Sequence, residues 1–163
     1  MISLFCQIAL LQLFFSCAEQ REPEIYLIPI GFVGKVNVIF NQTYGNAIKY
    51  EDGKRIYEIP RNGILLTQFK EEDGFTIHHY YYVDSTGTRL PLKIFLAGSQ
   101  STTDDVGVFR DGTVGVYGSS DNTKSLSYQE FYVTKRSDFE RYFSREYQEK
   151  FEGEVKELTG YDF

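Results

Sequence analysis

Residues 35–41, Lys-Val-Asn-Val-Ile-Phe-Asn (KVNVIFN), show the alternation that decides the fold class. Successive side chains of a β-strand point to opposite faces, so Val36, Val38 and Phe40 fall on one face. Polar residues such as Lys35 fall on the other face. This period of two predicts a strand that is buried on one side only.

Asp-Gly pairs mark two turns on either side of the middle of the chain. In residues 50–55 (YEDGKR), the pair supplies the two positive-φ residues of a type I′ hairpin and sets Glu51 opposite Lys54. The pair Asp111-Gly112 predicts a second hairpin in the same way.

Short alternating segments separated by turn residues recur along most of the chain. They predict strands near residues 25–29, 35–41, 46–51, 55–59, 63–69, 75–83, 90–96, 106–110, 113–118 and 127–134. Many short strands with regular turn signals are typical of an all-β, antiparallel β-sandwich. We assign residues 25–134 to this domain.

The last segment, residues 135–163, changes to a helical period. Ser137 and Glu140 have the spacing of a capping box, which predicts the start of a helix there. Aromatic and aliphatic residues then recur at steps of three and four: Phe139, Tyr142, Phe143, Tyr147, Phe151, Val155 and Leu158. This pattern predicts one amphipathic helix that packs on the domain and stops at Gly160.

The first 16 residues carry no charged side chain, and Cys17 follows them directly. This arrangement is typical of a bacterial lipoprotein signal, in which residues 1–16 are removed and Cys17 is acylated. Residues 17–24 would then form a lipidated tether to the membrane. The alternatives are an ordinary cleaved signal that ends near Ala18, or an uncleaved anchor.

Composition excludes several classes of function. The net charge of −6 gives no basic surface for nucleic acid. A hydrophobic content of 42% is that of a folded domain. Because both cysteines, Cys6 and Cys17, precede the domain, it has none for a disulfide, a thiolate nucleophile or a zinc cluster. We expect no cofactor.

No catalytic or metal-binding motif stands out. The two histidines, His78 and His79, are adjacent on a predicted strand, so they point to opposite faces and cannot share a metal without a bulge. Among 23 acidic residues, a pair of carboxylates across a cleft remains an open alternative. A carboxylate beside either histidine would favour a small secreted or periplasmic hydrolase.

Residues 75–84 (FTIHHYYYVD) supply the candidate binding surface. Alternation places Phe75, Ile77, His79, Tyr81 and Val83 on one face, which we assign to the core, so the outer face carries Thr76, His78, Tyr80 and Tyr82. A row of tyrosines suits a sugar or a peptide, which stack and form hydrogen bonds. The alternative is that another element covers this row and makes it packing.

Several motifs in residues 25–95 occur together in order. They are Tyr26-Leu27-Ile28-Pro29, Gly31, Gly34, Tyr50-Glu51-Asp52-Gly53, Ile59-Pro60, Gly63, Leu66-Thr67-Gln68 and Tyr80-Tyr81-Tyr82. As a block they resemble DUF6843, a bacterial domain family of unknown function found in lipoprotein-like chains. The resemblance implies no catalytic residue. The order of strand, Asp-Gly hairpin, Ile-Pro turn and strand is similar to that of prealbumin-like sandwiches, so we expect a prealbumin- or immunoglobulin-like sandwich by analogy of fold.

These observations predict a lipid-anchored domain of the bacterial cell envelope, with the outer membrane as the expected location. Its expected role is non-enzymatic, either structural or in binding an envelope protein, a peptide or a glycan. The carboxylate-dependent hydrolase is the rival, and a periplasmic inhibitor or immunity-type protein is a third possibility.

Overall fold

The computed structural model describes residues 20–96, 104–118 and 125–163, so the predicted signal and Cys17 lie outside the described residues. The described residues form strands β1 (Glu24–Pro29), β2 (Gly34–Ile39), β3 (Tyr50–Glu51), β4 (Lys54–Glu58), β5 (Ile64–Leu66), β6 (His78–Val83), β7 (Arg89–Pro91), β8 (Ile94–Phe95), β9 (Gly107–Tyr117) and β10 (Leu126–Thr134). A 3₁₀ segment (Arg136–Phe143) and an α-helix, α1 (Arg145–Thr159), follow.

Within the described residues, the strands form two five-stranded sheets that pack face to face. The first sheet has the order β3-β4-β1-β6-β7, and the second has the order β5-β2-β10-β9-β8. The predicted β-sandwich with a C-terminal helix is confirmed. The sheets are mixed rather than antiparallel throughout, because β1 runs parallel to β4 and β6, β2 to β5, and β8 to β9.

The path of the chain explains the parallel pairs of β1 with β4 and β6 and of β2 with β5; the parallel strands β8 and β9 are instead consecutive in sequence. The chain crosses from the first sheet to the second between β1 and β2, between β4 and β5, and between β7 and β8. Strands that neighbour each other within a sheet are therefore often not consecutive in sequence, and such strands can run parallel. Turn residues reveal hairpins between consecutive strands, so the sequence indicated only the antiparallel pairs.

The core between the sheets is built on aromatic stacking. Tyr26 of β1 stacks between Tyr57, at 5.0 Å, and Tyr80, at 4.7 Å between ring centroids. Phe131 of the second sheet meets the Tyr26 ring edge-on at 5.1 Å. The other buried members of this cluster are Ile28, Val36, Val38, Phe40, Ile59, Leu65, Phe69, Val108 and Val133. The face predicted for β2 is confirmed.

The outer face of β2 is also buried, so the prediction of a half-exposed strand is wrong. Ile39 packs in a second apolar cluster with Phe151 and Val155 of α1. Lys35 is 4% exposed and its Nζ lies 2.9 Å from the Glu130 carboxylate. The helix covers this face of the second sheet, and covering both faces of a strand leaves no solvated side.

The C-terminal segment contains a break that the sequence did not predict. The 3₁₀ segment precedes the α-helix, and Ser144 is the N-cap of α1, with its hydroxyl accepting a hydrogen bond from the Tyr147 amide at 3.3 Å. The predicted capping box at Ser137 is therefore wrong, because Ser137 lies inside the 3₁₀ segment. Gly160 ends α1 with a φ of 68°, as predicted.

Gly63 offers a test of the contact between the turn that follows β4 and strand β2. Its φ is +79°, and a Cβ there would lie 2.3 Å from the Lys35 carbonyl oxygen. Gly53, in the hairpin, has a φ of +73° with nothing within 4 Å of its Cβ position. Both alanine variants bear the same backbone strain, so we expect Gly63→Ala to be about 2 kcal/mol less stable than Gly53→Ala because of overpacking.

Urea denaturation followed by circular dichroism measures this difference. Equal unfolding free energies for the two variants would mean that β2 moves away from the turn without cost.

Candidate functional site

A β-bulge in β9 places the side chain of Asp111 in the candidate site. The predicted hairpin at Asp111-Gly112 is wrong, because β9 runs unbroken through both residues and pairs with β10 on either side. The register shifts between Glu130 and Tyr132, where Arg110 has a φ of 56° and Gly112 a φ of 70°. Such a bulge redirects side chains, and here Asp111 reaches the first sheet.

The orientation of β6 is the reverse of the predicted one. His78, Tyr80 and Tyr82 pair in register with Glu24, Tyr26 and Ile28 of β1, whose side chains are buried between the sheets. The row predicted to face outward therefore faces inward. Tyr80 is 2% exposed and Tyr82 packs against the core, so these two tyrosines do not form an exposed binding surface.

The outward prediction failed because both faces of β6 are rich in aromatic residues. Phe75 and Ile77, which the alternation assigns to the core, lie just before β6 and are 78% and 54% exposed. Thr76 and His78 border a cleft, described below.

His78 lies between two carboxylates. Its Nδ1 is 2.5 Å from Asp111 Oδ1, and its Nε2 is 3.2 Å from Glu24 Oε2. The Tyr80 hydroxyl donates to the same Asp111 oxygen at 2.6 Å, and the Tyr26 hydroxyl donates to Glu24 at 2.5 Å. Together with Arg21, these five residues form the group that we call the His78 cluster.

The cluster is neutral overall when all its charged groups are ionised. Arg21 Nη2 lies 2.5 Å from Glu24 Oε1, so Arg21 and His78 supply two positive charges against the two carboxylates. The Glu24 side chain is fully buried and that of His78 is 9% exposed. Buried charges are tolerated only when they are paired and hydrogen-bonded in this way.

Within the His78 cluster, the histidine is the protonated group and the two carboxyls are ionised. Burial by itself lowers the pKa of His78, but the hydrogen bonds and negative charges of Asp111 and Glu24 outweigh it and raise the pKa to about 9. Burial would raise the pKa of each carboxyl, yet hydrogen bonds from His78 and the tyrosines hold the pKa of Glu24 and Asp111 below their usual range. The ring is therefore an imidazolium at neutral pH.

An open cleft of about 310 Å³ adjoins the cluster. It is lined by Arg21, Glu71, Glu72, Asp73, Gly74, Phe75, Thr76, His78, Gly112, Val114 and Gln129. Both ring nitrogens of His78 face carboxylates, so the ring has no lone pair to offer as a base. Across the part of the chain that the structure describes, no three His, Cys, Asp or Glu side chains could hold a metal ion.

A larger cleft of about 520 Å³ lies on the outer side of β9 and also reaches Asp111. Its aromatic wall is a stack in which the ring of Phe109 lies 4.9 Å from those of both Phe95 and Phe139. Arg110 and Arg136 line the same cleft. Aromatic rings beside guanidinium groups can bind a ligand without any chemical step.

Four members of the His78 cluster carry no functional motif in the sequence: Glu24, Asp111, Arg21 and Tyr26. One signal was available for Glu24, since alternation in β1 places it on the same face as Tyr26 and Ile28. An inward carboxylate at the start of an apolar strand requires a buried partner. No comparable signal marked Asp111, because its dipeptide is the usual hairpin sequence.

Comparisons with known proteins agree with this architecture. A family described as "Family of unknown function (DUF6843)" matches residues 20–143, which confirms and extends the resemblance seen in residues 25–95. No curated protein matches the chain. Over the described residues, no helix has the length and apolar character needed to cross a membrane.

A crystal structure named as that of a "Putative Lipoprotein from Bacillus anthracis" has a similar fold. The TM-score is 0.59 with 15% sequence identity, and the similarity covers 88% of this chain and 100% of the other. At this identity the likeness concerns the fold alone.

Proposed function

The chain belongs to DUF6843, a family of unknown function, and from this premise we propose that it is an envelope-tethered lipoprotein domain with a non-enzymatic role. The observation that carries the proposal is Cys17, which directly follows a charge-free apolar segment and precedes the folded domain by only a few residues. The lipoprotein description of the similar protein from Bacillus anthracis supports it.

The surroundings of His78 support a non-enzymatic role. A carboxylate beside this histidine was the feature expected to favour a hydrolase, and two are present. With both nitrogens engaged and the pKa at about 9, however, the ring cannot accept a proton near neutral pH. The cluster links β1 and β6 of the first sheet to β9 of the second, which is a structural task.

The expected partner is an envelope protein, a peptide or a glycan. The aromatic cleft beside β9 is the surface that we assign to it, because stacked rings and guanidinium groups suit planar or polar ligands. Attachment to the bacterial envelope through a lipid, with the outer membrane as the expected site, is part of the same proposal.

Intact mass of the membrane-extracted protein tests the anchor. We expect wild type to begin at Cys17 with added acyl mass and to stay in the membrane fraction, because several acyl chains anchor stably. Cys17→Ala is expected to lose both properties. Cys6→Ala is the matched control and should keep them, since Cys6 lies in the segment that is removed. A soluble wild type without acyl mass would contradict the proposal.

A further inference from the structure

The chain enters the sandwich beside an exposed apolar corner. Gln20 forms a β-bridge with Phe75, and the Arg21 amide donates to the Phe75 carbonyl at 2.9 Å. Phe75 is 78% exposed and Ile77 54% exposed, and both line a shallow depression with Gln20. Val114 is 61% exposed, and together with Phe75 it lines the open cleft that adjoins the His78 cluster. We call Phe75, Ile77 and Val114 the entry corner.

The entry corner is close to the proposed lipid in chain length. Cys17 is three residues before Gln20, and three residues span at most about 11 Å. The headgroup region of one leaflet is roughly 5–8 Å thick. A domain held at Gln20 by acylated Cys17 therefore cannot move its entry corner far from the membrane surface.

We propose that the entry corner docks on the bilayer, with Phe75 and Ile77 inserted among the lipid headgroups. The inference rests on the proposed lipid anchor. Exposed aromatic and aliphatic side chains gain by leaving water at the headgroup boundary, where apolar faces of peripheral proteins lie. Because the lipid anchor already holds the domain at the membrane, Phe75 and Ile77 need no separate association step to reach the bilayer.

The charges around the corner specify the kind of lipid. Glu71, Glu72 and Asp73 line the cleft beside Phe75, and Glu72 is paired with Arg55. An acidic rim is repelled by an anionic surface. The entry corner therefore fits zwitterionic headgroups such as phosphatidylcholine or phosphatidylethanolamine.

A tryptophan probe can test the docking directly. The sequence has no tryptophan, and Cys17 is the only cysteine in residues 17–163, which retain every described residue. The chain 17–163 with Phe75→Trp would be coupled through the Cys17 thiol to maleimide lipids in phosphatidylcholine vesicles. We expect its emission to shift to shorter wavelength and to be quenched by brominated acyl chains.

Ile30→Trp is the matched control. Ile30 is 46% exposed and follows the opposite end of β1, about 20 Å from Glu24 at the usual rise per residue. We expect no shift and no quenching for this variant. Adding phosphatidylglycerol to the vesicles should weaken the quenching of the Phe75→Trp variant.

The outcomes separate this inference from the lipid anchor. If the Phe75→Trp and Ile30→Trp variants give the same unquenched emission on vesicles, the corner faces water or another protein, and the docking is overturned. If the mass measurement finds Cys17 unmodified in cells, the anchor itself fails and the inference falls with it. An acylated chain with an unquenched probe removes the docking alone.

Discussion

Replacing Glu24 with alanine is expected to lower the free energy of unfolding by about 3–5 kcal/mol. The Glu24 side chain is fully buried and contacts Arg21, Tyr26 and His78. Its removal leaves the buried charges of His78 and Arg21 without their shared partner. The loss of one member of a buried ion pair costs far more than a surface contact, because the remaining charge cannot regain its water.

Urea denaturation at pH 7, followed by circular dichroism, measures this effect, and Glu58→Ala is the control. Glu58 is half-exposed and its carboxylate lies 2.8 Å from Lys49, which is also half-exposed, so we expect a loss of at most about 1 kcal/mol. If Glu24→Ala does not fold, Glu24→Gln keeps the shape and one acceptor and is expected to lose about 1–3 kcal/mol. A loss for Glu24→Gln no larger than that for Glu58→Ala would show that the cluster adds nothing.

Raising the pH from 6 to 9.5 is expected to lower the free energy of unfolding by about 3 kcal/mol. The pKa of His78 is about 9 in the folded state against 6.5 for an ordinary histidine. A raised pKa means that the stabilisation is fully present below pH 6.5, declines above it and is lost as the pH passes about 9. The imidazolium then loses the charge that attracts Glu24 and Asp111.

Denaturation curves at a series of pH values measure how the free energy of unfolding changes with pH. His78→Gln should remove the pH dependence, whereas His79→Gln, which changes the adjacent histidine, should keep it. The series stops at pH 9.5 because tyrosines of the unfolded chain begin to ionise above that pH. In the folded protein, burial raises the pKa of Tyr26 and Tyr80 well above 10, so these two side chains ionise later than they do in the unfolded chain. A wild-type curve as flat as that of His78→Gln would mean that the ring is not charged in the folded protein.

The contrast between two Asp-Gly pairs shows how far local sequence can predict this fold. At Asp52-Gly53 the φ values are 48° and 73°, Glu51 lies opposite Lys54, and the hairpin is as predicted. At Asp111 the same dipeptide forms a bulge in a continuous strand. A hairpin depends on two residues and their neighbours, whereas the bulge depends on β10, which pairs with β9 on both sides of it.

The candidate site shows the same limit. The sequence indicated His78 as one of two histidines worth attention, and it gave the alternation of β6 correctly. It could not decide which face of β6 is buried, because both faces carry aromatic residues. The parallel register with β1 decides this, since it places His78 beside Glu24 and Tyr80 beside Tyr26. Asp111 contacts His78 and Tyr80 from the other sheet, although it lies 33 residues after His78 in the chain.

The sequence alone determined the features that depend on near neighbours: the period of the strands, the first hairpin, the amphipathic helix with its stop at Gly160, and the family resemblance. The tertiary structure decided the parallel pairings, the orientation of β6, the bulge at Asp111 and the cover that α1 gives to β2. Each of these depends on contacts between segments far apart in the chain. Such contacts are selected by the total burial and pairing of the folded protein, which no short stretch of sequence contains.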